Sequence, residues 1–250
     1  MTTHLASQPL GAIVAADFRA AAVFDRFGLD FCCGGKRTLT EACEQRAIVA
    51  SEVEAALDGL GSGRLVDLPN NSWAADELTR YIERRHHAFV REQTFVIGAR
   101  LEKLVKVHGR THPELERAAA LFRELSSELL MHLKKEEEIL FPYVRALASA
   151  IERGAEAPPN MFGTVKNPIR MMEAEHQDAG RELEQLRAVT SNFTVPPEGC
   201  ATYRACYQEL EAFDRDLRLH IHLENNILFP KAVALEGTLQ MPWGNAGISD

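Results

Sequence analysis

The chain has 250 residues, 46% of them apolar and 26% charged, with a formal net charge of −8. That is ordinary globular composition, long enough for one good core plus a small accessory unit. An acidic chain without a long Lys/Arg run argues against a nucleic-acid or anionic-membrane binder.

The start, Met1-Thr-Thr-His-Leu-Ala, lacks a basic region followed by an apolar run, so no signal peptide is expected. No apolar stretch approaches the ~20 residues of a membrane span. A cytoplasmic protein is expected. The five cysteines (Cys32, Cys33, Cys43, Cys200 and Cys206) are odd in number and suggest no disulfide framework, which fits a reducing compartment. Cys200 and Cys206 lie in a helix-like segment and read as buried small hydrophobes.

Residues 1–60 read as a small helical domain. Ile13, Val14, Phe18, Ala21, Val23, Phe24 and Phe27 recur at helical spacing. Asp17 and Arg19 split them into two short helices, and Gly28 ends the pattern. In Cys32-Cys33-Gly34-Gly35 the glycine pair marks a turn with unusual backbone angles. The two cysteines are either small residues in that turn or a thiol pair able to react, exchange disulfides or bind metal. Further short helices follow over Thr38–Arg46 and Ser51–Leu60, the second with a capping box at Ser51-Glu-Val-Glu54. Residues 61–72, rich in Gly, Pro and Asn, read as a linker.

From residue 73 to 236 there is no strand alternation, and four long helical stretches are separated by breakers. The first carries His86-His87 and stops at Gly109. The second opens at Thr111-His-Pro113-Glu114, with Thr as cap and Glu closing a capping box, and reaches Pro142 or a little beyond. The third begins near Asn167-Pro168 and carries Glu175-His176. The fourth runs from about 197 to 235. Residues 237–250 read as a tail. The fold class is therefore all-α: an up-down four-helix bundle behind a small amino-terminal helical domain.

One motif occurs twice: His132-x-x-x-Glu136 and His220-x-x-x-Glu224, each followed by Ile-Leu-Phe-Pro. Residues four apart lie on one helix face, so each copy aims an imidazole and a carboxylate at the same place. His87 stands 45 residues before His132, and His176 stands 44 before His220. Each half thus supplies one His, then a His-Glu pair. The apolar residues beside both motifs bury part of each turn, and a buried His and carboxylate need partners or a metal. Four imidazoles, two carboxylates and no thiolate suit two iron or manganese ions, with His87, His132, Glu136, His176, His220 and Glu224 as ligands and both carboxylates bridging.

Glu128 and Asp216 each precede a motif His by four residues. They are expected to hydrogen-bond the ligands, line an iron path or face solvent. Glu83 stands likewise before His87, and Glu175 can turn to either neighbour. Only one of His86 and His87 is expected to face inward, and the spacing favours His87. His222 should point away from His220. His108 and His112, at a helix break, should be solvated. Pro142 and Pro230 free carbonyls one turn back and should bend their helices.

These residues resemble a known family. Asp30-Phe-Cys-Cys-Gly-Gly-Lys36 is similar to the amino-terminal signature of the Repair of Iron Centers family. Lys135-Glu-Glu137, Ile-Leu-Phe-Pro and His-x-x-Leu-Glu-Asn-Asn resemble its hemerythrin-like di-iron domain. The resemblance spans about Pro9 to Leu235 and implies a non-haem di-iron protein, oxo- or hydroxo-bridged. Its implied role is restoring iron–sulfur clusters damaged by nitric oxide or oxidants. It places the ligand pattern on the same six residues and acidic positions of an iron path on Glu128 and Glu175. It implies an iron donor more than a conventional enzyme, with damaged iron–sulfur proteins or cluster scaffold proteins as partners docking at Cys32-Cys33. The alternative is a nitric oxide scavenger, buffer or sensor, or a slow nitric oxide reductase. A homodimer is admitted by analogy alone.

Overall fold

The computed structural model describes residues 5–61 and 69–240, and among them there is no strand. Most of the expected linker (residues 62–68) and tail (241–250) lies outside the described residues. No helix among them is long and apolar enough to cross a membrane.

Four short helices come first: α1 (Leu10–Ala16), α2 (Ala20–Arg26), α3 (Leu39–Arg46) and α4 (Ala50–Asp58). The capping box sits one helix earlier than expected. The Thr38 hydroxyl accepts from the Glu41 amide at 3.3 Å, and the Glu41 carboxylate accepts from the Thr38 amide at 2.8 Å. Ser51 caps nothing because Ala50 is already helical, and a cap must stand outside the helix with extended backbone. The Gly34-Gly35 pair has no positive φ. Glycine is needed there for space: a Cβ on Gly35 would lie 2.5 Å from the Phe31 carbonyl and from Asn226 Oδ1.

The bundle is built from α5 (residues 75–108), α6 (114–153), α7 (Lys166–Val189) and α8 (201–240). Thr111 donates to the His108 carbonyl at 3.0 Å instead of capping α6, which starts without a side-chain cap. Helix α6 continues to Arg153, well past Pro142, and α8 continues through residues 237–240 of the expected tail. Neither proline ends its helix, because a wide turn precedes each one. The amides of Phe141 and Phe229 bond carbonyls five residues back, at Glu136 and Glu224, and Ala88 does the same with Glu83. Each of these π-helical turns holds one residue more than an α-turn, a device that often marks functional sites.

Two apolar layers flank those turns. One holds Leu101, Phe122, Leu183, Tyr207 and Phe213 and is continuous with Leu10, Phe24 and Phe31 of the amino-terminal unit. The other holds Ile82, Phe141, Leu147, Met172, Ile227 and Phe229. The six residues expected as ligands lie at or near the junction of these layers along the bundle helices, and all are buried.

Candidate metal centre

All six candidate ligands converge. They form two groups, His87/His220 and His132/His176, and both groups include Glu136 and Glu224. The Nε2 atoms of His87 and His220 are 3.2 Å apart, and those of His132 and His176 are 3.0 Å apart. Each carboxylate spans the two groups. Glu136 points Oε2 at His87 (3.4 Å) and Oε1 at His132 (3.3 Å). Glu224 points Oε1 at His220 (3.0 Å) and Oε2 at His176 (3.2 Å).

The donor set fits cations. Both Glu136 oxygens and Glu224 Oε2 are buried with no hydrogen-bond partner. Paired imidazole nitrogens beside orphaned carboxylate oxygens need positive charge between them. Nitrogen and oxygen donors without thiolate suit iron or manganese better than structural zinc or calcium.

Three of the four imidazoles are held from behind. His87 Nδ1 is 2.7 Å from Glu137, itself gripped by Arg91 through two 2.8 Å hydrogen bonds. His132 Nδ1 is 2.7 Å from Glu175, which also receives Lys135. His176 Nδ1 is 2.8 Å from Asn225 Oδ1. Such partners fix the ring and its tautomer. Glu137 and Asn225 escaped the sequence reading, although each directly follows a candidate bridging Glu, a repeat visible in the sequence. Asn225 also donates to the Cys32 carbonyl at 3.3 Å, and Cys33 Sγ donates to the His176 carbonyl at 3.3 Å. The amino-terminal unit therefore touches the carrier of a candidate ligand directly.

Other expectations shift. His86 and His87 are both buried, 4% and 0% exposed, because the wide turn places neighbouring residues nearer one face. His86 Nδ1 is 3.0 Å from Asp216, and its ring stacks on His220 at 5.6 Å. Asp216 thus reaches the centre through His86 and touches no candidate ligand. Glu83 pairs with Arg145 at 2.8 Å. His222 points away from the centre, into a buried seat against Phe18 and Phe31. His108 and His112 are half-buried: both pack on Tyr203, and His112 pairs with Glu114 and Glu198. Cys206 is buried, but Cys200 is exposed just ahead of the helical part of α8. Hydrogen bonds from the Tyr203 amide and His108 lower its thiol to about 7.

A pocket of about 260 Å³ opens from His132 and His176 past Glu175 and Lys135 to Glu128 and Asp178. Glu128 is exposed at this rim. Carboxylate oxygens of Glu124 and Glu182 lie within 4.8 Å of one on Glu128. Burial and the neighbouring carboxylates lift Glu182 to about 7.

Without metal the centre is a proton-holding charge network. Burial pushes His87 down, yet the adjacent Glu136 and Glu224 carboxylates carry it up to about 10. His132 is likewise carried up to about 10 against burial, chiefly by Glu136 and Glu175. Burial and Glu224 push Glu136 up, but His132 and His87 bring it net below the usual carboxylate range. The stability from protonated His87 and His132 is complete below 6.5 and lost as pH rises through about 10. The Glu136 share is present above 4.5 and lost in acid. The expected result is a metal-free Tm that falls from neutral pH toward pH ~10. A metal-loaded Tm should fall less, and loading should release protons. Parallel melting curves with and without chelator would refute this reading.

Residues 6–60 match the ScdA_N domain of unknown function (DUF542), and residues 78–232 match the hemerythrin HHE cation binding domain. The iron-sulfur cluster repair protein YtfE of Musicola paradisiaca is 37% identical over 234 residues, covering 92% of this chain and 98% of that protein. YtfE of Cronobacter sakazakii is 36% identical, with 92% and 97% covered. YtfE of Escherichia coli O157:H7 is 34% identical, with 92% and 98% covered.

Proposed function

Because the chain belongs to the hemerythrin-domain family of iron–sulfur cluster repair proteins, we propose that it is a non-haem di-iron protein that repairs clusters damaged by nitrosative or oxidative stress. The repair consists of donating iron. The observation that carries the proposal is the pair of His groups sharing Glu136 and Glu224. His87 and His220 would hold one iron and His132 and His176 the other, with Glu136 and Glu224 common to both groups. Bound iron would supply redox-active, exchangeable ions there.

The chain's own residues set how the cargo leaves. Glu175 is part-exposed and divides its hydrogen bonds between His132 and Lys135. A swing of Glu175 away from His132 loosens that ring at the mouth of the pocket. Glu128 and Asp178 then offer carboxylates along the exit. The clients are damaged iron–sulfur proteins or cluster scaffold proteins, received at the amino-terminal unit.

The expected result is transfer of iron from the reduced, loaded protein to an apo-cluster protein. Glu175→Ala should alter the rate of transfer more than the iron content. Failure of transfer while a scaffold control succeeds would refute donation. The same pocket favours a second reading, in which the centre captures nitric oxide as a scavenger, buffer or sensor. Addition of nitric oxide to the reduced protein should then change its visible spectrum, and an unchanged spectrum would end that reading. Nitrous oxide turnover would mark a slow nitric oxide reductase.

A further inference from the structure

Among the described residues, a second group of unsatisfied buried polar atoms lies away from the metal centre. A cavity of about 580 Å³ lies between the Cys32-Cys33 loop, α3, α7 and α8. Three residues on its wall each keep a buried atom without a hydrogen-bond partner: Arg187 Nε, Arg218 Nε and Asp214 Oδ1. Asp214 is 3% exposed and Arg218 9%. Arg187 pairs with Asp214 and Arg218 with Asp25 through their other atoms, and the Arg218 guanidinium lies 5.1 Å from the Phe31 ring centroid. Burying a guanidinium N–H or a carboxylate oxygen without a partner is costly. Two donors and one acceptor therefore lack partners on residues that line a single space.

The same wall carries a thiol pair. Cys33 is half-buried and Cys32 buried, with their sulfurs 3.9 Å apart. Cys33 is the one a molecule in the cavity can reach. Guanidinium N–H groups call for a carboxylate, Asp214 calls for an ammonium, and a thiol reacts with a disulfide. The volume is that of a small-molecule site and exceeds what a single amino acid fills.

We propose that this cavity binds a zwitterionic low-molecular-weight thiol in its disulfide form, of amino-acid or short-peptide size, and presents it to Cys33. The ligand carboxylate meets Arg187 and Arg218, and its ammonium meets Asp214. In the step that follows, Cys33 loses its proton to solvent and its thiolate attacks one ligand sulfur. A Cys33–ligand S–S bond forms, the ligand's own S–S bond breaks, and the departing half leaves as a thiolate that takes up a proton. The ligand disulfide is the oxidant, and no other is needed. The site goes beyond the iron-donation reading and does not depend on it.

The test uses the full chain as purified, anaerobic, in a Cys200→Ser background so that the exposed thiol cannot contribute. Glutathione disulfide and cystine are the two probes, and bis(2-hydroxyethyl) disulfide is the neutral control. Intact-protein mass follows the reaction, and peptide mapping locates the adduct. The expected result is an adduct at Cys33 whose rate saturates with at least one zwitterionic probe. That rate should exceed the neutral control at least tenfold at equal concentration. Saturation by glutathione disulfide alone assigns a peptide-sized ligand, and by cystine alone an amino-acid-sized one. Arg187→Gln should raise the half-saturating concentration at least tenfold. The S-methyl form of whichever thiol saturates (S-methylglutathione or S-methylcysteine), which cannot form a disulfide, should compete in the protein with its arginines intact, so the outcome does not rest on the folding of a variant. A linear rate with both probes, equal reactivity of the neutral disulfide, or an adduct elsewhere would overturn the proposal.

Discussion

A chain carrying Glu224→Ala will retain almost no iron, whereas His176→Ala will retain about one iron per chain. The difference follows from how the donors are shared. His176 belongs to one group only, but Glu224 faces His220 with one oxygen and His176 with the other. Its removal strips an oxygen donor from both groups and half of the negative charge that makes the centre attractive to cations. Asn225→Ala removes only the hydrogen bond behind His176, and both irons should stay, one of them held roughly 10–100-fold more weakly. Metal analysis after exhaustive desalting reads all three. Equal iron in the Glu224 and His176 variants would show that the carboxylate is not shared.

The second large effect lies away from the centre. Glu236→Ala should lower the Tm by roughly 6–12 °C, the consequence of about 3 kcal/mol in a chain of this size. Glu236 is 3% exposed and accepts three hydrogen bonds: from Tyr143 at 2.9 Å, Thr164 at 2.6 Å and the Val165 amide at 2.8 Å. It ties α6 and α8 to the loop that launches α7, the helix carrying His176. Alanine leaves the Val165 amide and the Tyr143 hydroxyl buried without their acceptor. Glu236→Gln keeps an acceptor and should lose less. A thermal melt of the metal-free proteins separates these cases, and an unchanged Tm for the alanine variant would remove Glu236 from the list of anchors.

Glu236 also shows where sequence reasoning runs out. Gly237, Pro242 and the polar residues after it read as a tail, and nothing local reveals that the last carboxylate before them closes a loop some seventy residues earlier. Repetition was legible: two copies of His-x-x-x-Glu with similar spacing to an earlier His suffice to bring six side chains together. The periods were legible too, because apolar residues at helical spacing must face a core. The wide turns were not. Pro142 and Pro230 announce a disturbed ladder, but the sequence does not say whether it is relieved by a bend or by an added residue. At Glu83–His87 no proline marks the wide turn, and regular helical spacing led to the expectation that only one of His86 and His87 turns inward. Partners that act through space, such as Glu137 behind His87, were hidden for the same reason: facing across helices is set by rotation about each axis, which the sequence leaves open.

The three π-helical turns also constrain how the protein can be rebuilt. Each one advances the chain by a residue without advancing the face, so side chains on either side of it are out of phase by roughly one residue's rotation, about 100°. A designer who fills the core with a single unbroken periodic pattern will fit one end of the bundle and turn the other outward. Deleting one residue from such a turn restores a regular helix, keeps the side chains beyond it on their faces, and loses the local geometry that presents His87, Glu136 or Glu224. In α5, α6 and α8 the two ends are therefore separate design problems, joined at the candidate ligands, and each tolerates apolar repacking only in its own phase.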